Sequence, residues 1–199
     1  MKRAALTHER VFSDQDYAET YAKQHWKMAE RFGEEYATKL VAGGFQKGRI
    51  LDVGCGFGAT NLVLAKRFAD SQVVGIDLSE PLLLLAREAA QAAQLGERVR
   101  FEAADVQQIP YEDDSFDVVL NVNMVHLVED PIRMLNEIER VLVPGGRLFV
   151  ADLRRSWLGL LEEEIRSSLT LREARDLFNH SRVRAGRLSW GILWWRFET

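Results

Sequence analysis

Cysteine is nearly absent. Cys55 is the only one in 199 residues, which excludes an intramolecular disulfide and any zinc site built from cysteines. Proline is scarce, at four residues, and no Pro/Ser-rich linker interrupts the chain. No apolar run approaches the roughly 18 residues that span a bilayer. A basic excess is missing too: 26 Lys+Arg stand against 30 Asp+Glu, for a net charge of −4. Nonspecific nucleic-acid binding calls for a basic domain, so a nucleic-acid partner is disfavoured. The opening MKRAALTHER lacks the apolar stretch of a signal peptide, and a cytoplasmic protein is the expectation. Repeats and low-complexity segments are missing as well, so one domain over 1–199 is expected.

What is present suffices for a core, since 47% of residues are hydrophobic and 10% aromatic. The charge is unevenly placed. Residues 1–48 sum to +1, residues 49–150 to −7 and residues 151–199 to +2. These zones read as a helical cap (1–48), a core (49–152) and a C-terminal helix with strands (153–199).

Apolar periodicity predicts a helix over 14–42, with Ser13 and Asp16 at its start and Gly43-Gly44 at its end. Strands are predicted at 49–53, 72–77, 99–105, 116–123 and 147–152. Helices are predicted at about 59–68, from Ser79 to about 95, from Asp130-Pro131 to about 142, and from the Thr170/Glu173 capping box to about 179. Two β-like runs in 183–198 suggest a hairpin adding antiparallel edge strands. Strands alternating with helices imply an α/β fold with a mostly parallel sheet covered on both faces.

Between the first strand and its helix lies Gly54-Cys55-Gly56-Phe57-Gly58-Ala59. Such glycines allow a tight turn and let backbone approach a ligand at a helix N-terminus. The stretch fits the dinucleotide fingerprint GxGxxA, and with Asp52 it also reads Asp-x-Gly-x-Gly-x-Gly. An ordinary strand–helix turn is the bland alternative. Asp77 ends the second strand, where a carboxylate can accept both hydroxyl hydrogens of a ribose, whether the nucleotide is NAD or another. It can equally serve as a helix-capping Asp. Cys55 is read as a small residue that lets the backbone turn, ahead of any redox role.

Later landmarks follow in order: Glu102-Ala103-Ala104-Asp105-Val106, Ile109-Pro110-Tyr111, Asp114-Ser115-Phe116-Asp117, Val125-His126-Leu127 and Arg140-Val141-Leu142-Val143-Pro144-Gly145-Gly146. This set, over about residues 45–155, resembles the class I S-adenosyl-L-methionine (SAM) methyltransferases. It resembles especially their small-molecule branch, with the ubiquinone and menaquinone methyltransferases. The resemblance implies a Rossmann-like doubly wound sheet of seven strands, with SAM as cofactor and S-adenosyl-L-homocysteine as product. It puts Asp52 near the methionine amino group and Gly54, Gly56 and Gly58 along the methionine and ribose. Asp77 would take the ribose hydroxyls, Leu78 the adenine face, and Asp105 and Val106 the adenine edge. Asn121 would sit under the methionine moiety. An acidic, glycine-lined cleft suits a sulfonium cation better than a pyrophosphate.

The acceptor is less legible. Tyr17, Tyr21, His25 and Trp26 lie on the first helix, which in this family covers the pocket; packing those aromatics on the core is the competing reading. His25 and His126 are the candidate bases, for a hydroxyl or acidic-carbon acceptor, with a structural role for His126 as its alternative. Trp157, Trp190, Trp194 and Trp195 are expected mostly in the core, and Arg182, Arg184 and Arg187 on a solvated edge. No metal is expected. The stretch over about 153–169 is shorter than in many relatives, which insert a substrate-binding helical segment there. Asn121-Val122-Asn123-Met124 stands where amide and adenine methyltransferases carry Asn/Asp-Pro-Pro-Tyr/Phe. A small, apolar or aromatic acceptor is therefore expected. The alternatives are a non-catalytic SAM-binding or partner protein of the same fold, and an NAD-type oxidoreductase.

Overall fold

Adjacent side chains on a buried strand point to opposite faces, and this period builds two apolar layers around one sheet. The computed structural model describes residues 13–156 and 163–199; MKRAALTHER and Trp157 lie outside the described residues. Strands β1 (Arg49–Val53), β2 (Gln72–Asp77), β3 (Val99–Ala103), β4 (Phe116–Val122), β5 (Leu142–Leu153), β6 (Arg187–Trp190) and β7 (Trp194–Glu198) form one sheet in the order β3-β2-β1-β4-β5-β7-β6. Ile50, Val118 and Phe149 enter one layer, while their neighbours Leu51, Val119 and Val150 enter the other.

Three helices cover the first layer: α1 (Gln15–Ala42), α2 (Ala59–Arg67) and α3 (Glu80–Ala92). The second layer holds α4 (Pro131–Val141) and α6 (Leu171–His180); a short α5 spans Glu163–Ser167. The N-cap of α1 is Asp14, which accepts from the Tyr17 amide at 3.0 Å, one residue later than the Ser13/Asp16 reading. Asp caps as well as Ser, so two adjacent candidates were present. Ser79, Asp130 and Thr170 cap α3, α4 and α6 as expected, the last with a complete capping box.

β1 to β5 pair in parallel, and β7 is antiparallel to both β5 and β6. The expected antiparallel hairpin is there, with one refinement. Only β7 runs against the sheet, and the edge strand β6 runs with the parallel set. β5 begins at Leu142 rather than 147, because Leu142 already pairs with Phe116; a register shift then absorbs the Pro144-Gly145-Gly146 turn.

α1 resolves the competition between cap and core by doing both. Its second half, with Phe32, Tyr36, Ala37 and Leu40, packs into the first layer. Its first half, with Ala18, Tyr21, Ala22 and Trp26, packs on Phe57 and Leu82 above the C-terminal ends of the strands. Charges fasten the second half to β7: Lys39 pairs with Glu35 and Glu198, and Arg196 with Glu35.

The tail tryptophans separate. Trp195 is fully buried, and Trp194 is half-buried against Phe32 at 4.9 Å. Trp190 is 56% exposed beside the turn residues Ile192 and Leu193, contrary to the expected core placement. Arg182 and Arg187 are exposed as expected, whereas Arg184 is held by Glu139. Among the described residues no helix is long and apolar enough to cross a membrane.

Trp195 pairs with Asp152 across β5 and β7 and meets Phe178 edge-on at 6.0 Å. Trp195→Ala is expected to cost about 3–5 kcal/mol of stability, the range for large buried aromatics. Urea unfolding of the two proteins measures it.

Candidate active site

Strand order reverses at β1, where β2 lies on one side and β4 on the other. Ligands of open α/β sheets bind in the crevice at such a point, outside the carboxyl ends of the strands. A cavity lies there. Asp52, Gly54, Cys55, Gly56, Phe57 and Asp77 form its floor from β1 and β2, Val122, Asn123 and Met124 line it from β4, and Tyr21, His25, Met28 and Phe32 roof it from α1. His126 and Leu127 close the far side from the 3-10 turn Val125–Leu127.

The Gly-rich turn owes its residues to two different needs. Gly56 has φ +53, a conformation that favours glycine, and a Cβ there would meet only the Leu82 side chain, at an ordinary contact distance of 3.9 Å. Gly58 has φ +75, and a Cβ there would strike Phe101 at 2.6 Å and Ala86 at 2.9 Å. That glycine serves helix–sheet packing, and it is not among the cavity residues. Cys55 presses its sulfur into the place a Gly75 side chain would occupy, at 2.7 Å. Burial and the two nearby carboxylates push its thiol well up, so it behaves as packing rather than nucleophile.

Asp77 is 5% exposed and organises the turn, accepting from the Gly56 and Ser79 amides at 2.9 Å each. Burial nonetheless raises its pKa, against the lowering effect of those backbone bonds. Asp52, 2% exposed, lacks such donors among the described residues; burial first, and the Asp77 charge second, push its carboxyl up to about 7. No Lys or Arg is among the described residues lining the cavity. Among the described residues, the cavity lining thus has two buried carboxylates and no Lys or Arg. A pyrophosphate would meet repulsion there, while a sulfonium or ammonium would meet what it needs.

The other expected site residues divide. Leu78 is half exposed at the end of β2, with Asp105 and Val106 beyond β3; none of the three lines the cavity. Asp105 accepts from the Gln107 amide at 2.8 Å, and Val106 is buried in the core. Asn121 is fully buried below the floor, its amide donating to the Val53 carbonyl at 2.8 Å. It holds the end of β1 and does not line the cavity. Asn123 does, in a left-handed conformation (φ +56), with a buried Oδ1 that has no hydrogen-bond partner. Tyr21 and His25 reach the cavity; Tyr17 does not, and Trp26 stacks on Phe57 at 5.6 Å instead.

One residue was missed. Asp152, fully buried at the end of β5, sits 2.7 Å from His126 Nδ1 and accepts the His126 amide at 2.8 Å. A carboxylate at the C-terminal end of a predicted parallel strand was the signal that pointed to it. The His25 ring is held differently, with Nδ1 donating to the Tyr21 carbonyl at 2.9 Å. Among the described residues no group of His, Cys, Asp and Glu has the arrangement of a metal site.

Comparison with known proteins agrees with this geometry. A family profile described as "Methyltransferase domain" matches residues 51–150. The 27-O-demethylrifamycin SV methyltransferase of Amycolatopsis mediterranei is 37% identical over 145 residues, which are 70% of this chain and 53% of that protein. The chain spans about half the length of these curated relatives. Among solved structures, a SAM-dependent methyltransferase from Aquifex aeolicus superposes with TM-score 0.76 at 20% identity, covering 93% of this chain and 97% of that one. The 4+2 cyclase SpnF superposes with TM-score 0.66 at 30% identity, covering 80% and 57%. With the profile covering half the sequence and the sheet order, glycine turn and acidic cavity in place, the chain belongs to the class I SAM-dependent methyltransferase family.

Proposed function

We propose that the chain is a single methyltransferase domain that moves a methyl group from SAM, by in-line displacement, to a small apolar or aromatic molecule. The observation that carries this reading is the cavity with two buried carboxylates and no Lys or Arg among its described residues. Asp52 and the Gly54–Gly56 backbone would hold the cationic methionine end. Asp77 would accept the ribose hydroxyls, and Leu78, Asp105 and Val106 would take the adenine outside the enclosed part. SAM brings an already activated methyl carbon on a sulfonium. The chain's task is then to align the acceptor and exclude water. Met28, Phe32, Phe57, Met124 and Leu127 give the acceptor side an apolar wall, and Tyr21 closes it. The acidic cavity is a poor host for a nucleic acid, and NAD would put its pyrophosphate against Asp52.

A second reading is a chain of this fold that binds SAM and transfers no methyl group. The likeness to a cyclase favours it, because one fold hosts more than one reaction. Titration calorimetry with SAM, S-adenosylhomocysteine and NAD tests the binding that both readings share. Binding of the first two and not of NAD is expected, and no SAM binding at millimolar concentration would overturn both. Formation of S-adenosylhomocysteine with an acceptor panel then separates them.

Asp52 makes two further outcomes calculable. Its pKa is raised in the folded state, from the ordinary 3.8 to about 7. Its contribution to stability is therefore full below pH 4 and is lost as pH rises through 7. Asp52→Asn is expected to raise the melting temperature of the ligand-free protein at pH 8 and to leave it nearly unchanged at pH 4; thermal melts across this range measure the gap. A bound cation favours the ionised carboxylate. SAM affinity of the wild type should thus fall about tenfold or more between pH 7.5 and 5.5, a dependence that Asp52→Asn abolishes in calorimetry.

A further inference from the structure

The two most exposed large hydrophobic side chains of the described residues stand on one tight turn. They are Ile192, 78% exposed, and Trp190, 56% exposed, with Leu193 beside them at 41%. The turn joins β6 to β7, and its backbone is firmly held. The Leu193 carbonyl accepts the Arg154 amide at 2.7 Å, and the Ile192 carbonyl accepts from Arg154 Nη2 at 2.9 Å. The Gly191 amide donates to the Trp194 carbonyl at 2.8 Å. The polar backbone is thus engaged while the apolar side chains are left outward. Exposed hydrophobic residues scattered singly are ordinary; a contiguous group on a fixed tip marks a surface that meets something apolar.

The tip stands at the edge of the sheet where the cavity opens. Leu153, the last residue of β5, pairs with Trp194, so the turn lies beyond the carboxyl ends of the parallel strands. Trp194 meets Phe32 edge-on at 4.9 Å, and Phe32 belongs to the cavity roof. Apolar side chains therefore continue from the roof through Trp194 to the tip.

Charge says what the tip meets. Residues 177–197 contain no Asp or Glu, against Arg182, Arg184, Arg187 and Arg196. Arg184 and Arg196 are held by Glu139 and Glu35. Arg187, exposed on β6, and Arg154, which grips the turn, have no carboxylate partner among the described residues. Arg187 is three residues from Trp190, about 10 Å along the strand, close enough to share its surroundings. A second copy of the chain is a poor occupant, because a two-fold axis through the hairpin sets the same cations against each other. Aliphatic side chains and tryptophan flanked by arginine suit the boundary between acyl chains and anionic headgroups.

We propose that the β6–β7 turn is a membrane-docking tip. Trp190, Ile192 and Leu193 enter the headgroup–acyl boundary of an anionic bilayer, and Arg154 and Arg187 lie against its phosphates. Docked in this way, the cavity edge of the sheet faces lipid, and an apolar acceptor dissolved in the bilayer reaches the cavity past Trp194 and Phe32. That delivery role rests on the methyl-transfer reading; the docking does not.

Flotation of the full chain with lipid vesicles tests this. Binding is expected to vesicles of two parts phosphatidylcholine to one part phosphatidylglycerol, and about fivefold or more weaker binding to phosphatidylcholine alone. On the anionic vesicles, Ile192→Asp and Trp190→Asp should each weaken binding about tenfold or more, and Arg187→Glu about fivefold. Val41→Asp adds the same charge at an exposed apolar position on the far end of α1 and should leave binding within about twofold. Thermal melts check that each variant is folded. A wild type that does not float with the anionic vesicles overturns the proposal. So do binding that both tip variants retain and an equal loss in Val41→Asp. Equal binding to phosphatidylcholine alone overturns the anionic assignment. A dimer in analytical ultracentrifugation that Ile192→Asp dissolves, without vesicle binding, gives the tip to a second copy instead. A wild type that floats but binds neither SAM nor S-adenosylhomocysteine leaves the docking in place and brings down the methyltransferase reading.

Discussion

Two carboxylates buried at the ends of adjacent parallel strands are the constraint around which this molecule is arranged. Asp52 and Asp77 come close because β1 and β2 pair in parallel: Asp52 lies opposite Gly75, and Asp77 is two residues further along β2, on the same face. Placing two like charges in a protein interior is unfavourable unless something answers them. Asp77 is answered by two backbone amides of the turn it organises. Asp52 has no such donor among the described residues, and burial together with the Asp77 charge raises its pKa. A cationic ligand in the cavity would lower that cost.

The roof explains why a 28-residue helix is used where a shorter one would cover the sheet. Its C-terminal half is an ordinary core helix, tied to β7 by Lys39 and Glu35. Its N-terminal half overhangs the cavity and has few partners beyond Phe57, Leu82 and their neighbours. One rigid element thus carries the pocket lid on a firmly packed base. Asn121 plays the matching part below, fixing the last carbonyl of β1 so that the turn starts from a set position.

The donor half was legible because its signals are local. Strands 49–53 and 72–77 coincide with β1 and β2, and the glycines, Asp52 and Asp77 fall where a strand–turn–helix unit puts them. The acceptor half depends on contacts that sequence spacing does not display. The family resemblance points to Asn121 as a ligand contact and is silent on Asn123. The chain leaves β4 after Val122, and the left-handed Asn123 turns its side chain toward the cavity. Asp152 looked like a plain strand end; its meaning comes from lying beside the 3-10 turn that holds His126, a neighbour 26 residues earlier. The tail tryptophans were expected mostly in the core; Trp195 is there, and Trp190 is the exposed exception at the end of the hairpin.

β7 runs against the sheet between β5 and β6, and its consequence concerns the order in which the protein comes into being. Trp195 is the strand partner of Asp152, yet it lies far downstream of it in the chain. The nucleotide turn, made near residue 55, has its sheet partners β1, β2 and β4 as soon as residue 122 has emerged. The strand that secures Asp152, Trp194–Glu198, is made well after β4. A nascent molecule thus gathers the strands around the Gly-rich turn before the strand beside Asp152 exists, so the two sides of the cavity are completed one after the other.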